Sequence, residues 1–154
     1  MGACRVQHLT ATCESHETQA LCTNVAKNMK EGLESMTGCK VPDEAFLQAT
    51  IAVSGGGVGL LNPMETNANA HLSSLLKLPE TFRSPQLEPA YQSKLKRAAA
   101  AVGSRMGKTA EEILETSERL AGQGMSVMQE LNRTYNDKKK AHLMTTADPQ
   151  PPEA

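Results

Sequence analysis

Apolar residues recur along most of this chain at steps of three and four, the spacing of one face of an α-helix. Between Ser15 and Met36 the stripe is Leu21, Val25, Met29, Leu33 and Met36, with Ser15 placed to cap the helix and Gly38 to stop it. Pro42 restarts the chain, and DEAFLQATIAV carries Phe46, Leu47, Ile51 and Val53. Its Asp-Glu start suits a helix N-terminus, so a short helix is favoured over a strand, although β-branched Thr50, Ile51 and Val53 leave its end ambiguous. A glycine cluster at Gly55, Gly56, Gly57 and Gly59 then makes a tight bend. Asn62 follows as an N-cap, with Pro63 as the first helical residue and Glu65 at the third position, the spacing of a capping box. The helix predicted from Pro63 to about Lys77 buries Ala68, Leu72, Leu75 and Leu76 and is closed by Pro79.

Past a proline-rich linker, LPETFRSPQLEP, the stripe resumes as Tyr91, Leu95, Ala98, Val102 and Met106, with Gly103 and Gly107 weakening the helix end. Thr109 and Glu112 form a second capping-box pattern, opening a helix with Ile113, Leu114, Ser117, Leu120 and Ala121. After Gly122 and Gly124 a last helix starts near Ser126, uses Val127, Met128, Leu131 and Tyr135, and frays at Lys138, Lys139 and Lys140. The expected architecture is an all-α, loosely packed bundle of about five helices. Residues 1–14 have no period and are expected to be disordered, residues 15–136 form the helical domain, and residues 137–154 are a basic, then Pro-rich disordered tail.

Composition strengthens the helical reading. Of 154 residues 39% are hydrophobic but only 3% aromatic, with no Trp and eight Met, so the core relies on aliphatic packing, whereas sheet folds draw on β-branched and aromatic residues. A net charge of −1 gives no global attraction to nucleic acid or membrane. The N-terminal MGACRVQHLTA lacks the apolar core of a secretory signal, so the expected setting is intracellular, nuclear or cytoplasmic. Val6 stands where an N-myristoylation signal has Ser or Thr.

Candidate chemistry is sparse. Cys4, His8, Cys13, His16 and Cys22 are dense, but the spacing C-x3-H-x4-C-x2-H fits no zinc knuckle or finger, and no metal or other cofactor is assigned. GSRMGKT, Gly103 to Thr109, approaches a phosphate loop but is one residue short and follows a helical AAAAV rather than a strand. His71 reads as a surface or partly packed side chain rather than a catalyst. The strongest binding feature is basic: Lys94, Lys96, Arg97, Arg105 and Lys108 fall between Pro89 and Ala110 with no acidic residue among them. Phosphates would favour such a face, but a solvated helix surface explains it slightly better, since no aromatics interleave.

The order of motifs resembles the region following the polymerase palm in non-LTR retroelement reverse transcriptases and their genomic relatives. The likeness lies in Leu33, Met36-Thr37-Gly38, Glu44 with Phe46-Leu47, Gly56-Gly57-Val58-Gly59-Leu60, Asn62-Pro63, Ala70 with Ser74, and the later Leu120-Ala121-Gly122-Gln123-Gly124-Met125-Ser126. It covers roughly residues 30–131 by inspection of these motifs. Those polymerases hold two metal ions on paired palm aspartates. Here the aspartates are Asp43, Asp137 and Asp148, with no adjacent pair. The resemblance therefore implies a non-catalytic, thumb-side fragment, not an enzyme, that contacts RNA or DNA backbone through the helix bearing Lys94, Lys96, Arg97, Arg105 and Lys108. The alternative is a helical protein-interaction module whose Met-rich stripes on the first and last helices pack against a partner protein.

Overall fold

The computed structural model describes residues 2–78 and 84–147, and the side chains from Val6 onward within them. Among the described residues the chain is all-α, with seven helices rather than about five and no strand: α1 (Gly2–Thr12), α2 (Gln19–Thr37), α3 (Asp43–Ala49), α4 (Pro63–Leu76), α5 (Glu88–Met106), α6 (Ala110–Gly122) and α7 (Val127–Thr146). A short 3-10 turn, Val53–Gly55, lies between α3 and α4. Pro79, expected to close α4, and the Pro-rich stretch after residue 147 lie outside the described residues.

The hub is α4, which touches α1, α2, α5 and α7. Asn62 caps it, its side chain accepting from Met64 N at 3.0 Å, and Pro63 occupies the first turn as expected. Nine of its fourteen residues are buried, including the polar Asn67, Asn69, His71 and Ser73. The core joins Ala68, Leu72 and Leu75 of α4 to Leu95, Ala98, Ala99 and Val102 of α5, Ile113 of α6, and Val127 and Leu131 of α7. These are positions the periodicity assigned to the interior, apart from Ala99. Thr109 and Glu112 form the complete capping box expected at the start of α6, and Ser126 caps α7.

Several expectations are corrected. Residues Gly2–Thr12 of the segment expected to be loose are helical, and Val6 and Thr10 are buried as α1 packs on α4. The segment is short and only weakly amphipathic, so its burial depends on a tertiary neighbour. The helix expected from Ser15 begins instead at Gln19, with Thr18 in the N-cap position. Beyond the expected boundary at residue 136, α7 continues through Lys138, Lys139 and Lys140 to Thr146. The cause is Lys139, which is 5% exposed: its ammonium donates to Glu65 Oε2 at 2.6 Å and to Thr50 Oγ1 at 2.9 Å. The second half of the capping box at Asn62 is accordingly not made, because Glu65 reaches Lys139 instead.

The two mid-chain glycine signals resolve differently. GSRMGKT is a helix-to-helix corner: Gly103 lies inside α5, Gly107 closes it in the left-handed region at φ 69°, and Thr109 opens α6. A Cβ on Gly103 would sit 2.4 Å from the Lys108 carbonyl oxygen, so glycine lets the returning chain cross close to α5. In the cluster before α4, a Cβ on Gly57 would fall 2.1 Å from Ile51 O, and only glycine fits.

Candidate functional site

The five basic residues of the expected nucleic-acid face do not share one surface. At about 100° per residue, Lys96 projects roughly opposite to Lys94 and Arg105 on the α5 cylinder. Lys96 reaches Glu111 of α6 at 3.6 Å, and Arg97 donates to Glu14, in the connection between α1 and α2, at 2.8 Å. Arg105 turns inward, half-buried, and donates to the Glu65 carbonyl at 3.0 Å. Burial pushes its guanidinium below the usual arginine value, opposed by the nearby Tyr135, Cys22 and Glu65. Lys94 and Lys108 are exposed and have no acidic partner among the described residues. A contiguous run of charge in the sequence thus divides among three neighbours in the fold.

Arg97 stands at the rim of a cleft of about 550 Å³ between the α1–α2 connection, α4 and α5. Its walls carry Glu14, His16 and Glu17, and its floor is Ala68, Ala98, Ala101 and His71. Glu14 also lies 3.5 Å from His16 Nδ1. His71 is 5% exposed rather than at the surface: Nδ1 lies 3.3 Å from the Ala11 carbonyl, which also accepts from Ser74 Oγ, and Nε2 has no hydrogen-bond partner. Neither ring nitrogen meets a nucleophile, so the cleft holds a packed histidine and an ion pair but no nucleophile and base in contact.

Of the N-terminal Cys and His residues, Cys4 lies outside the described side chains, and His8, Cys13, His16 and Cys22 do not converge. Cys22 is fully buried, with Asn67 Nδ2 at 3.8 Å from its sulfur, while His8 and His16 are exposed. Among the described residues no three His, Cys, Asp or Glu side chains converge as a metal site would require. Nor is any described helix long and apolar enough to cross a membrane.

What the sequence reading missed is the outward face of the glycine turn. The amides of Gly55, Gly56, Gly57, Val58, Gly59 and Leu60 all donate within the segment, to carbonyls of Ala49, Ile51, Ala52 and Val53. Gly56 and Gly59 take left-handed φ values of 88° and 77° to permit this. With its amides paired, the turn has no cradle for phosphate. The same pairing fixes its shape, and it holds Val53 73% and Val58 66% exposed, with Leu61 partly exposed beside them. Glycine clustering signalled the bend, but the outward direction of the valines follows from a hydrogen-bond pattern that has no sequence signature.

A second open apolar surface is α2, which buries only Cys22 of its nineteen residues. Val25, Met29 and Leu33 of its stripe are half-buried and Met36 is 86% exposed. On the last helix Met128 is half-buried and Met144 is 67% exposed. Comparison with known protein families, with curated proteins and with solved structures returns no match to this chain.

Proposed function

We propose that this chain is a non-catalytic, helical protein-interaction module, of retroelement descent by the motif order given above. The observation that carries the reading is the glycine turn, whose internally paired backbone holds Val53 and Val58 in water. Exposing two aliphatic side chains on a rigid turn forgoes burial of about 1.5 kcal/mol or more each, and a partner surface recovers it with little ordering cost. Support also comes from the division of the α5 charges, which leaves Lys94 and Lys108 without acidic partners among the described residues but no continuous basic track.

The test is capture of partners from nuclease-treated extract at high salt. It compares the wild-type chain, a Val53→Asp, Val58→Asp variant, and a Lys94→Glu, Lys96→Glu, Arg97→Glu variant. The interaction reading expects a partner retained at high salt by wild type and by the charge variant, and lost by the valine variant. Binding of a labelled RNA–DNA duplex that weakens steeply with salt and vanishes in the charge variant, with no salt-resistant protein partner, would overturn it in favour of the thumb-like role.

A further inference from the structure

Buried polar atoms without a hydrogen-bond partner are rare in folded proteins, and among the described residues two side chains carry one: Ser117 at Oγ and His71 at Nε2. A serine hydroxyl on a helix can rotate toward a carbonyl of the preceding turn. An imidazole nitrogen has no such freedom, so Nε2 depends on a group brought to it.

The neighbours of the ring decide what that group must be. Nδ1 lies 3.3 Å from the Ala11 carbonyl, which can only accept, so Nδ1 carries a hydrogen. Ser74 Oγ donates to the same carbonyl and helps to fix it. In the neutral ring Nε2 is then a lone-pair acceptor. The ring borders the cleft between the α1–α2 connection, α4 and α5, whereas Ala11 is not among the cleft walls. With its Nδ1 edge turned to Ala11, the ring has its Nε2 edge left for the cleft.

The remaining groups of the cleft call for the same kind of ligand. Glu14 is largely buried, and its carboxylate is shared between Arg97 at 2.8 Å and His16 at 3.5 Å. Glu17 Oε2 accepts from the Glu14 amide at 2.9 Å, which ties it to the connection, and no basic side chain among the described residues pairs with it. Two carboxylates and an imidazole acceptor thus face one guanidinium that Glu14 already engages. An entering anion meets repulsion, whereas a cation that donates hydrogen bonds meets its complement. A metal ion is not the fit, because no three ligating side chains converge among the described residues. The floor is apolar, formed by Ala68, Ala98 and Ala101, and suits a short alkyl stem.

We propose that this cleft binds a small primary alkylamine in its ammonium form, the N–H groups donating to His71 Nε2 and to the Glu17 carboxylate while the stem lies over the three alanines. This is a binding site without catalytic machinery, and it is independent of the interaction surface at the glycine turn.

Titration of n-butylamine into the full chain carrying isotopically labelled histidine, followed by nitrogen NMR at neutral pH, tests it. A saturable shift is expected at His71 Nε2, with little change at Nδ1. Butyrate, of equal length and opposite charge, should give none. Tetramethylammonium keeps the charge but has no N–H, and should bind about tenfold or more weakly. Glu17→Gln, at an exposed position, should weaken butylamine by about tenfold. Ala101→Leu, which keeps a good helix former but fills the floor, should abolish the shift. The Val53→Asp, Val58→Asp variant should bind as wild type, so either reading can fail without the other. The proposal is overturned by the absence of a saturable shift at His71, by butyrate or tetramethylammonium binding as well as butylamine, or by binding indifferent to both Glu17→Gln and Ala101→Leu.

Discussion

Helices α2 and α4 are the sharpest contrast in this molecule. In sequence α2 has the cleaner amphipathic stripe, yet it buries one residue of nineteen, whereas α4, with alternating Asn and Ala, buries nine of fourteen. Position accounts for the difference. Because α4 is enclosed by α1, α2, α5 and α7, even its polar residues go inside, and two of its asparagines find partners on neighbouring helices. Asn69 pairs with Asn132 of α7 at 2.7 Å, and Asn67 contacts Cys22 of α2. At the edge, α2 packs on α4 and α1 along one side and leaves most of its surface to solvent. A hydrophobic stripe thus states what a helix can bury, and neighbours decide what it does bury.

The contrast can be broken most severely at the ion pair that joins the N-terminal end of α4 to α7. Glu65→Ala leaves the Lys139 ammonium buried without its counter-charge and should cost about 4 kcal/mol in urea unfolding. Replacing both, as Glu65→Leu with Lys139→Met, should recover most of that loss; a double variant as unstable as the single one would show that the charges themselves are required. Next in size is the core: Leu72→Ala should cost about 3 kcal/mol, against less than about 1 kcal/mol for Leu33→Ala in α2. Equal losses at the two leucines, by the same denaturation measurement, would erase the distinction between hub and edge.

Removing the capping hydroxyl in Thr109→Ala should cost about 1 kcal/mol, a local penalty that both kinds of helix would feel. The smallest effect concerns Tyr135 on α7. Burial first, and then the Glu65 charge, raise its phenol above the ordinary value of 10.0, with Arg105 opposing. The folded chain therefore holds this proton more tightly than the unfolded chain. The resulting stabilisation is full below pH 10 and is lost as pH rises through the elevated folded value. Thermal midpoints followed upward from neutral pH should fall more steeply for wild type than for Tyr135→Phe, and parallel curves would contradict the assignment.

The local punctuation of the chain was legible. Asn62-Pro63, Thr109 with Glu112, Ser126 and the stop at Gly38 all act over a single helical turn, so their partners lie within a few residues. The α5, α6 and α7 stripes were legible for a related reason: Leu95, Val102, Ile113, Val127 and Leu131 face a core that surrounds that side of each helix. The candidate site was much less so. Lys94, Lys96, Arg97, Arg105 and Lys108 form a basic cluster only in linear order, since Glu14, Glu111 and the Glu65 carbonyl that engage three of them are distant in sequence.

By itself, then, the sequence determined the all-α class, the caps at Asn62, Thr109 and Ser126 and the aliphatic faces of the central helices, because each depends on spacing and on groups a turn apart. Only the tertiary structure decided that α1 is an ordered packing partner, that Lys139 is a buried ion rather than a frayed end, and that the basic run is divided. It also decided that Val53, Val58 and Met36 remain open. These outcomes depend on which elements become neighbours, and burial and ion pairing at long range are properties of that arrangement rather than of any local pattern.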